Sequence, residues 1–177
     1  MELFWSRGYE ATGMRDLLDV MGIGRQSLYD TFGDKRSLFL EAVEQYNRCV
    51  TQKLVDSLSA AGSPLGNVRR TLTSMAQMCG QKPCCGCLLT NTLVELAPHD
   101  AEVAAVAKRV LARVEGAFRK TLERAVEQGE LPKDAPVRAL ARSLCCTLQG
   151  LAVMGRANVS QSAARDIVGV ALSVLEK

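Results

Sequence analysis

Residues 14–32 read Met14-Arg15-Asp16-Leu17-Leu18-Asp19-Val20-Met21-Gly22-Ile23-Gly24-Arg25-Gln26-Ser27-Leu28-Tyr29-Asp30-Thr31-Phe32. Two short segments with helical periodicity flank the Gly-Ile-Gly centre. In the first, Met14, Leu17, Leu18 and Met21 share one face. Asp16 falls in its first turn, where a carboxylate complements the helix dipole. Gly22 can take the positive φ that ends such a helix, and Ile23 is a lone apolar residue inside the tight turn. The second segment, 25–32, turns Leu28 and Phe32 inward, one turn apart. The pattern predicts a helix-turn-helix: an apolar plug fixes the pair, and the outer face of the second helix is free to enter a major groove. Arg25, Gln26, Ser27 and Asp30 lie on that outer face. Arginine reads guanine and glutamine reads adenine through paired hydrogen bonds, so two base readers stand at the leading end. Tyr29 and Lys35 are placed to hold phosphates on either side. A plain helical hairpin with a solvated charged face fits the same spacing.

Outward from this unit the chain reads as helix nearly throughout. Leu3–Gly8 looks like the end of a helix stopped by Gly8. Gly33-Asp34 breaks the second helix and starts a long one from Lys35 to about Leu58, with Asp34 as its cap. Further helices are expected at about 65–79, 87–97, 101–128, from Pro136 to Arg156, and 161–176. Strict alternation of apolar and polar residues is absent over any useful length, so the fold class is all-α. The chain has 177 residues, of which 47% are hydrophobic and 23% charged, as in an ordinary folded globular protein. No run of about 18 apolar residues is available to span a membrane, and Met1–Arg7 lacks the apolar core of a secretory signal. The expected location is therefore the cytoplasm, with no membrane partner. The net charge of +3 is uneven: residues 1–60 carry seven bases against nine acids, whereas the remainder carries fifteen bases against ten acids.

The run Phe4-Trp5-Ser6-Arg7-Gly8-Tyr9-Glu10-Ala11-Thr12 continues through Met14-Arg15-Asp16-Leu17-Leu18 and Met21-Gly22-Ile23 to Ser27-Leu28-Tyr29-Asp30-Thr31-Phe32-Gly33-Asp34-Lys35. Over about residues 4–46 it resembles the DNA-binding domain of the TetR family of bacterial regulators. The shared pattern is a Phe ahead of Gly-Tyr-x-x-Thr, the Gly-Ile turn, the Leu-Tyr-x-x-Phe helix and the Lys after it. The resemblance implies a DNA-binding domain over 1–46 and a larger ligand-binding and dimerisation domain over 47–177. It implies a homodimeric repressor acting on a double-stranded, palindromic operator and released by a small-molecule inducer. Arg15, Arg25, Gln26 and Ser27 would make base or groove contacts, and Tyr29 and Lys35 phosphate contacts. Two departures stand out. The first helix is expected to be about two turns shorter than the family's, so a member deficient in DNA binding is an alternative. Gly24 also replaces a usual capping Ser or Thr, which forfeits a hydroxyl contact to phosphate.

Seven cysteines without a signal segment argue for reduced thiols. Gly86-Cys87-Leu88-Leu89 with Asn91 resembles one branch of the family at the start of a pocket-lining helix. Cys87, expected in a first helical turn near unpaired N–H groups, is the leading candidate for a sensor thiol, with Cys84 and Cys85 as resolving partners. Small-residue packing and a thiolate metal site with His99 are alternatives, as is a thiol-redox enzyme built on the Cys84/Cys87 pair. Only one paired-ligand motif is present, so no metal and no cofactor are expected, and the regulator reading expects no catalytic activity. His99 is expected to cap a helix start. Met75, Met78, Cys87, Leu88, Asn91, Thr92, Glu95, Phe118 and Leu122 could line a cavity, or simply be core. Trp5 reads as core. Leu144, Leu148 and Leu151 on one helix, with Val168 and Leu175 on the last, form stripes that a dimer could bury in a four-helix interface.

Overall fold

The computed structural model describes residues 1–79, 81 and 84–176. Among them the regular structure is helical. Four helices form the N-terminal part: α1 (Glu2–Arg7), α2 (Met14–Met21), α3 (Arg25–Phe32) and α4 (Lys35–Tyr46). Helical structure then continues through a π-helical turn, Asn47–Thr51, into α5 (Gln52–Ser59). The long helix expected over 35–58 is thus one helical path with a π turn in it. Arg113 grips that turn from outside, donating to the Asn47 side chain at 2.8 Å and to Gln52. The remaining helices are α6 (Pro64–Met78), α7 (Leu88–Glu95), α8 (Ala101–Glu127), α9 (Val137–Arg156) and α10 (Gln161–Ser173).

Local chemistry explains most boundaries. The Gly13 N–H donates to the Asp16 carboxylate at 3.0 Å, which closes the first turn of α2. Gly22 ends that helix in the left-handed region, at φ 66°. Asp34 caps α4 by accepting the Ser37 N–H at 2.7 Å, and this bond holds its carboxyl below the ordinary carboxylate range. The cap of α8 is Asp100 rather than His99: its carboxylate accepts the N–H groups of Glu102 and Val103, both at 3.1 Å. Pro136 stands one residue before α9 rather than within it.

Two apolar cores result. One joins Phe4, Leu17, Leu28, Phe39, Val43 and Tyr46 to Leu88, Leu89, Val103 and Val110. The other packs α6, the latter half of α8, α9 and α10 around Leu72, Phe118, Leu122, Leu144 and Leu151. The division expected at residue 46 therefore does not coincide with the packing: α7 and the first half of α8 complete the core of the N-terminal helices.

The dimer stripe needs correcting. Leu144, Leu148, Leu151, Val168 and Leu175 are each at most 5% exposed within the single chain. They hold α9 and α10 to α6 and α8, so they are not available to a second subunit. The large apolar residues exposed on these helices and at the end of α10 are Val153, Met154, Val170 and Val174.

A candidate nucleic-acid interface and a cavity beneath it

The α2–α3 pair presents its second helix outward. Leu28 is fully buried and anchors α3, while Arg25, Gln26, Ser27 and Tyr29 are exposed, with Arg15 exposed on α2. This is the arrangement in which side chains at the start of one helix can reach base edges. Two of the six expected contacts are engaged within the chain. The Gln26 amide donates to Asp30 at 2.7 Å, so it must exchange that partner to reach a base. The Lys35 ammonium lies 4.3 Å from the centre of the Tyr9 ring, a cation–π contact that holds it at the edge of the reading pair. Arg7, in the last turn of α1, pairs with Asp16 at 3.2 Å.

Two of the contacts that fasten the reading unit to the rest of the chain run through carboxylates there. Arg36 on α4 makes a forked pair with Asp100, at 2.7 and 2.9 Å, and reaches Glu102 at 2.7 Å. The guanidinium beside Asp100, together with the cap bonds, lowers that carboxyl to about 2. The second fastening is Glu95, the last residue of α7, whose carboxylate accepts the N–H of Tyr9 at 3.0 Å and of Glu10 at 2.8 Å. Gly8 makes room for it. Its φ of +92° suits glycine alone, and a Cβ there would stand 2.9 Å from a Glu95 oxygen. Glu95, expected among the residues that could line a cavity, is thus a strut between α7 and the turn after α1.

Beneath these fastenings lies a cavity of about 300 Å³. Of the expected lining, Met75, Met78 and Cys87 border it. Leu88, Thr92, Phe118 and Leu122 are instead core residues, at most 2% exposed, and Asn91 turns away to donate to the Cys85 carbonyl. The spacing missed most of the wall: Trp5 from α1, Tyr46 from α4, Val50 and Thr51 from the π turn, and Leu148 and Gln149 from α9. These come from distant parts of the chain, and no local periodicity links them.

All seven cysteines are free thiols. Cys87 is the residue just before α7, and its sulfur accepts the Tyr46 hydroxyl at 3.6 Å on the cavity wall. Burial, followed by the neighbouring Cys87, pushes the Tyr46 phenol well above its ordinary range, so it stays a donor. Cys84 also borders the cavity, whereas Cys85 is not among its lining residues. Cys79, which the spacing did not select, does line it. The Cys79 and Cys84 sulfurs pack on the bare backbone of Gly155, where a Cβ would stand 3.2 and 3.0 Å from them. Burial raises the Cys79 thiol and lifts Cys145 to about 11. Among the described residues no group of three or more His, Cys, Asp or Glu is arranged to hold a metal ion.

Comparison with known proteins agrees with this geometry. The family model described as "Bacterial regulatory proteins, tetR family" matches residues 1–42, and "Tetracyclin repressor-like, C-terminal domain" matches residues 65–169. An uncharacterised helix-turn-helix transcriptional regulator of Bacillus subtilis strain 168, YezE, is 36% identical over 99% of this chain and 92% of its own length. The transcriptional repressor ComR of Escherichia coli K12 is 28% identical, covering 97% of this chain and 83% of itself. Among solved structures, a cysteine-substituted form of the TetR-family regulator CifR, complexed with 26-base-pair operator DNA, superimposes with a TM-score of 0.87. It is 28% identical, and the match covers 97% of this chain and 90% of that one. No described helix is long and apolar enough to cross a membrane.

Proposed function

The chain belongs to the TetR family of DNA-binding transcriptional regulators, and from that membership we propose that it is a ligand-responsive repressor that binds a palindromic operator as a homodimer. The observation that carries this reading is α3, anchored by a fully buried Leu28 and offering Arg25, Gln26, Ser27 and Tyr29 to solvent. ComR is a repressor by name and CifR is held on operator DNA, which supports the same role here. Arg25 and Gln26 read base edges; Arg15 and Ser27 line the groove; Tyr29 and Lys35 hold phosphates. The dimer forms through the outward faces of α9 and α10, with Val153, Met154, Val170 and Val174 at its centre. The protein works in the cytoplasm, by binding rather than by turnover. A molecule in the cavity releases DNA by favouring a DNA-incompetent arrangement.

The test is selection from a pool of randomised duplexes, followed by equilibrium binding to the enriched sequence. A two-fold symmetric site is expected. Arg25→Ala lowers affinity for it by about 1–3 kcal/mol and relaxes discrimination at one base pair per half-site. Lys35→Ala weakens all sequences alike and reduces the salt slope by about one. A pool without enrichment overturns the reading.

A thiol response is a second reading, favoured by the Tyr46 hydroxyl aimed at Cys87 on the cavity wall. Limited alkylation at neutral pH, mapped by peptide mass, should modify Cys87 well before Cys79 and Cys145, the two thiols that burial raises. Labelling of Cys145 as fast as Cys87 removes the physical basis for a sensor there.

A further inference from the structure

The wall of the cavity includes a residue of the DNA-reading unit itself. Trp5 belongs to α1, yet its indole borders the cavity, and its Nε1–H donates to the Gly86 carbonyl at 2.9 Å. Gly86 immediately precedes Cys87 and α7, so this single bond ties α1 to the root of the helix whose far end carries Glu95. The Trp5 ring also meets Tyr46 edge to face, with centroids 5.1 Å apart and planes at 84°. Arg156 of α9 donates to the Trp5 and Ser6 carbonyls at 3.3 and 3.4 Å, which holds the backbone while leaving the indole its own partner.

We propose that Trp5 carries the occupancy of the cavity to the reading head, and that the occupant is a neutral aromatic molecule packed against the Trp5 and Tyr46 rings. The inference rests on reading the cavity as an effector site. The chemistry of the wall selects the ligand class. Two aromatic rings and the thioethers of Met75 and Met78 favour a flat apolar guest. Lys53 is the one charged side chain among the described lining residues, and it is exposed, so a buried anionic group would lie without a cationic partner deeper in the cavity. A guest that packs on the indole competes with the position that makes the Gly86 bond. It therefore binds best to the state in which that bond is broken or redirected, and only such a difference can shift the equilibrium. The displacement enters α1 within one turn of Gly8, where the Glu95 strut meets the reading unit.

Trp5 is the only tryptophan, which makes the experiment direct. The full chain is titrated with N-phenyl-1-naphthylamine, a neutral aromatic whose emission rises in apolar sites, and amide hydrogen exchange is followed with and without the probe. Saturable probe emission sensitised by excitation of Trp5 is expected, with exchange in residues 1–13 altered at least about fivefold, the lower end of usual coupling. Trp5→Phe keeps a ring but removes the N–H. Brought to saturation with the probe, as read by direct excitation, it should show no response of exchange in residues 1–13. Sensitised binding that leaves residues 1–13 unchanged in the wild type, or changes them equally in Trp5→Phe, overturns the role of Trp5 and leaves the effector site standing. Binding without sensitised emission overturns the placement against Trp5. No binding by the wild type overturns the effector reading and the ligand class together.

Discussion

The two cores of this protein are built from different materials. The first rests on aromatic rings: Phe4 meets Phe39 edge to face at 5.1 Å, Tyr9 meets Phe39 at 5.0 Å, and Trp5 meets Tyr46 at 5.1 Å. Beyond Tyr46 the only aromatic residue in the chain is Phe118. Apart from Phe118 and Cys79 the second core is Leu, Val and Ala, carried mainly on helices of 15, 27, 20 and 13 residues. The contrast follows from helix length. Helices of 6, 8, 8 and 12 residues offer few inward positions; α2 and α3 bury one leucine each, and α1 and α4 bury rings, each of which removes about 150–250 Å² from water. Even so, the short helices do not close their core alone; they borrow Leu88, Leu89, Val103 and Val110 from α7 and α8. One side of the cavity wall, Trp5, Tyr46, Val50, Cys87 and Leu89, is consequently part of the body that carries the reading helix. The second core is complete by itself and can serve as the fixed frame.

Three substitutions sharpen this contrast, in decreasing size. Phe118→Ala removes the one ring of the aliphatic core, at a fully buried site. It should cost about 3–5 kcal/mol, or roughly 6–20 °C in Tm, with both cores melting in one transition because the frame supports the reading unit. Two separated transitions in a calorimetric scan would mean that the cores fold independently. Glu95→Gln keeps the shape of the strut and removes its charge, at a cost of about 1 kcal/mol. Hydrogen exchange should quicken at Tyr9 and Glu10 while α6 and α10 stay as they were. The smallest effect belongs to Asp100. Its carboxyl is lowered to about 2 by Arg36, so the pair stabilises the fold above the ordinary carboxylate pKa and loses that contribution as pH falls toward 2. The Tm difference between wild type and Asp100→Asn should therefore be constant from neutral pH to about pH 5 and vanish near the folded value. A difference that persists unchanged at the lowest pH assigns the effect of Asp100 to something other than its charge.

Local chemistry was legible from sequence; allegiance between distant elements was not. The α2–α3 pair could be read because Gly22, Ile23, Leu28 and Asp34 act within a few residues of themselves. Glu95 lies two helical turns from Cys87, and the sequence places both among the residues that could line a cavity. What decides its role is a pair of N–H groups on Tyr9 and Glu10, far away in the chain. Leu144, Leu148 and Leu151 form the same stripe whether the partner is their own α8 or a second subunit, because periodicity records that a face is buried and not what buries it. Trp5 was read as core for a similar reason: a large ring on a short helix is core by default, and only the assembled fold opens a cavity on its other side.

Native-state hydrogen exchange as a function of denaturant is the measurement that addresses the shared core most directly. It assigns an opening free energy to each helix and groups those that open together. The amides of α7 should open with those of α1 and α4, as one unit distinct from α6 and α10. If α7 opens instead with α6 and α10, its side of the cavity wall belongs to the frame, and the reading head is not built on it.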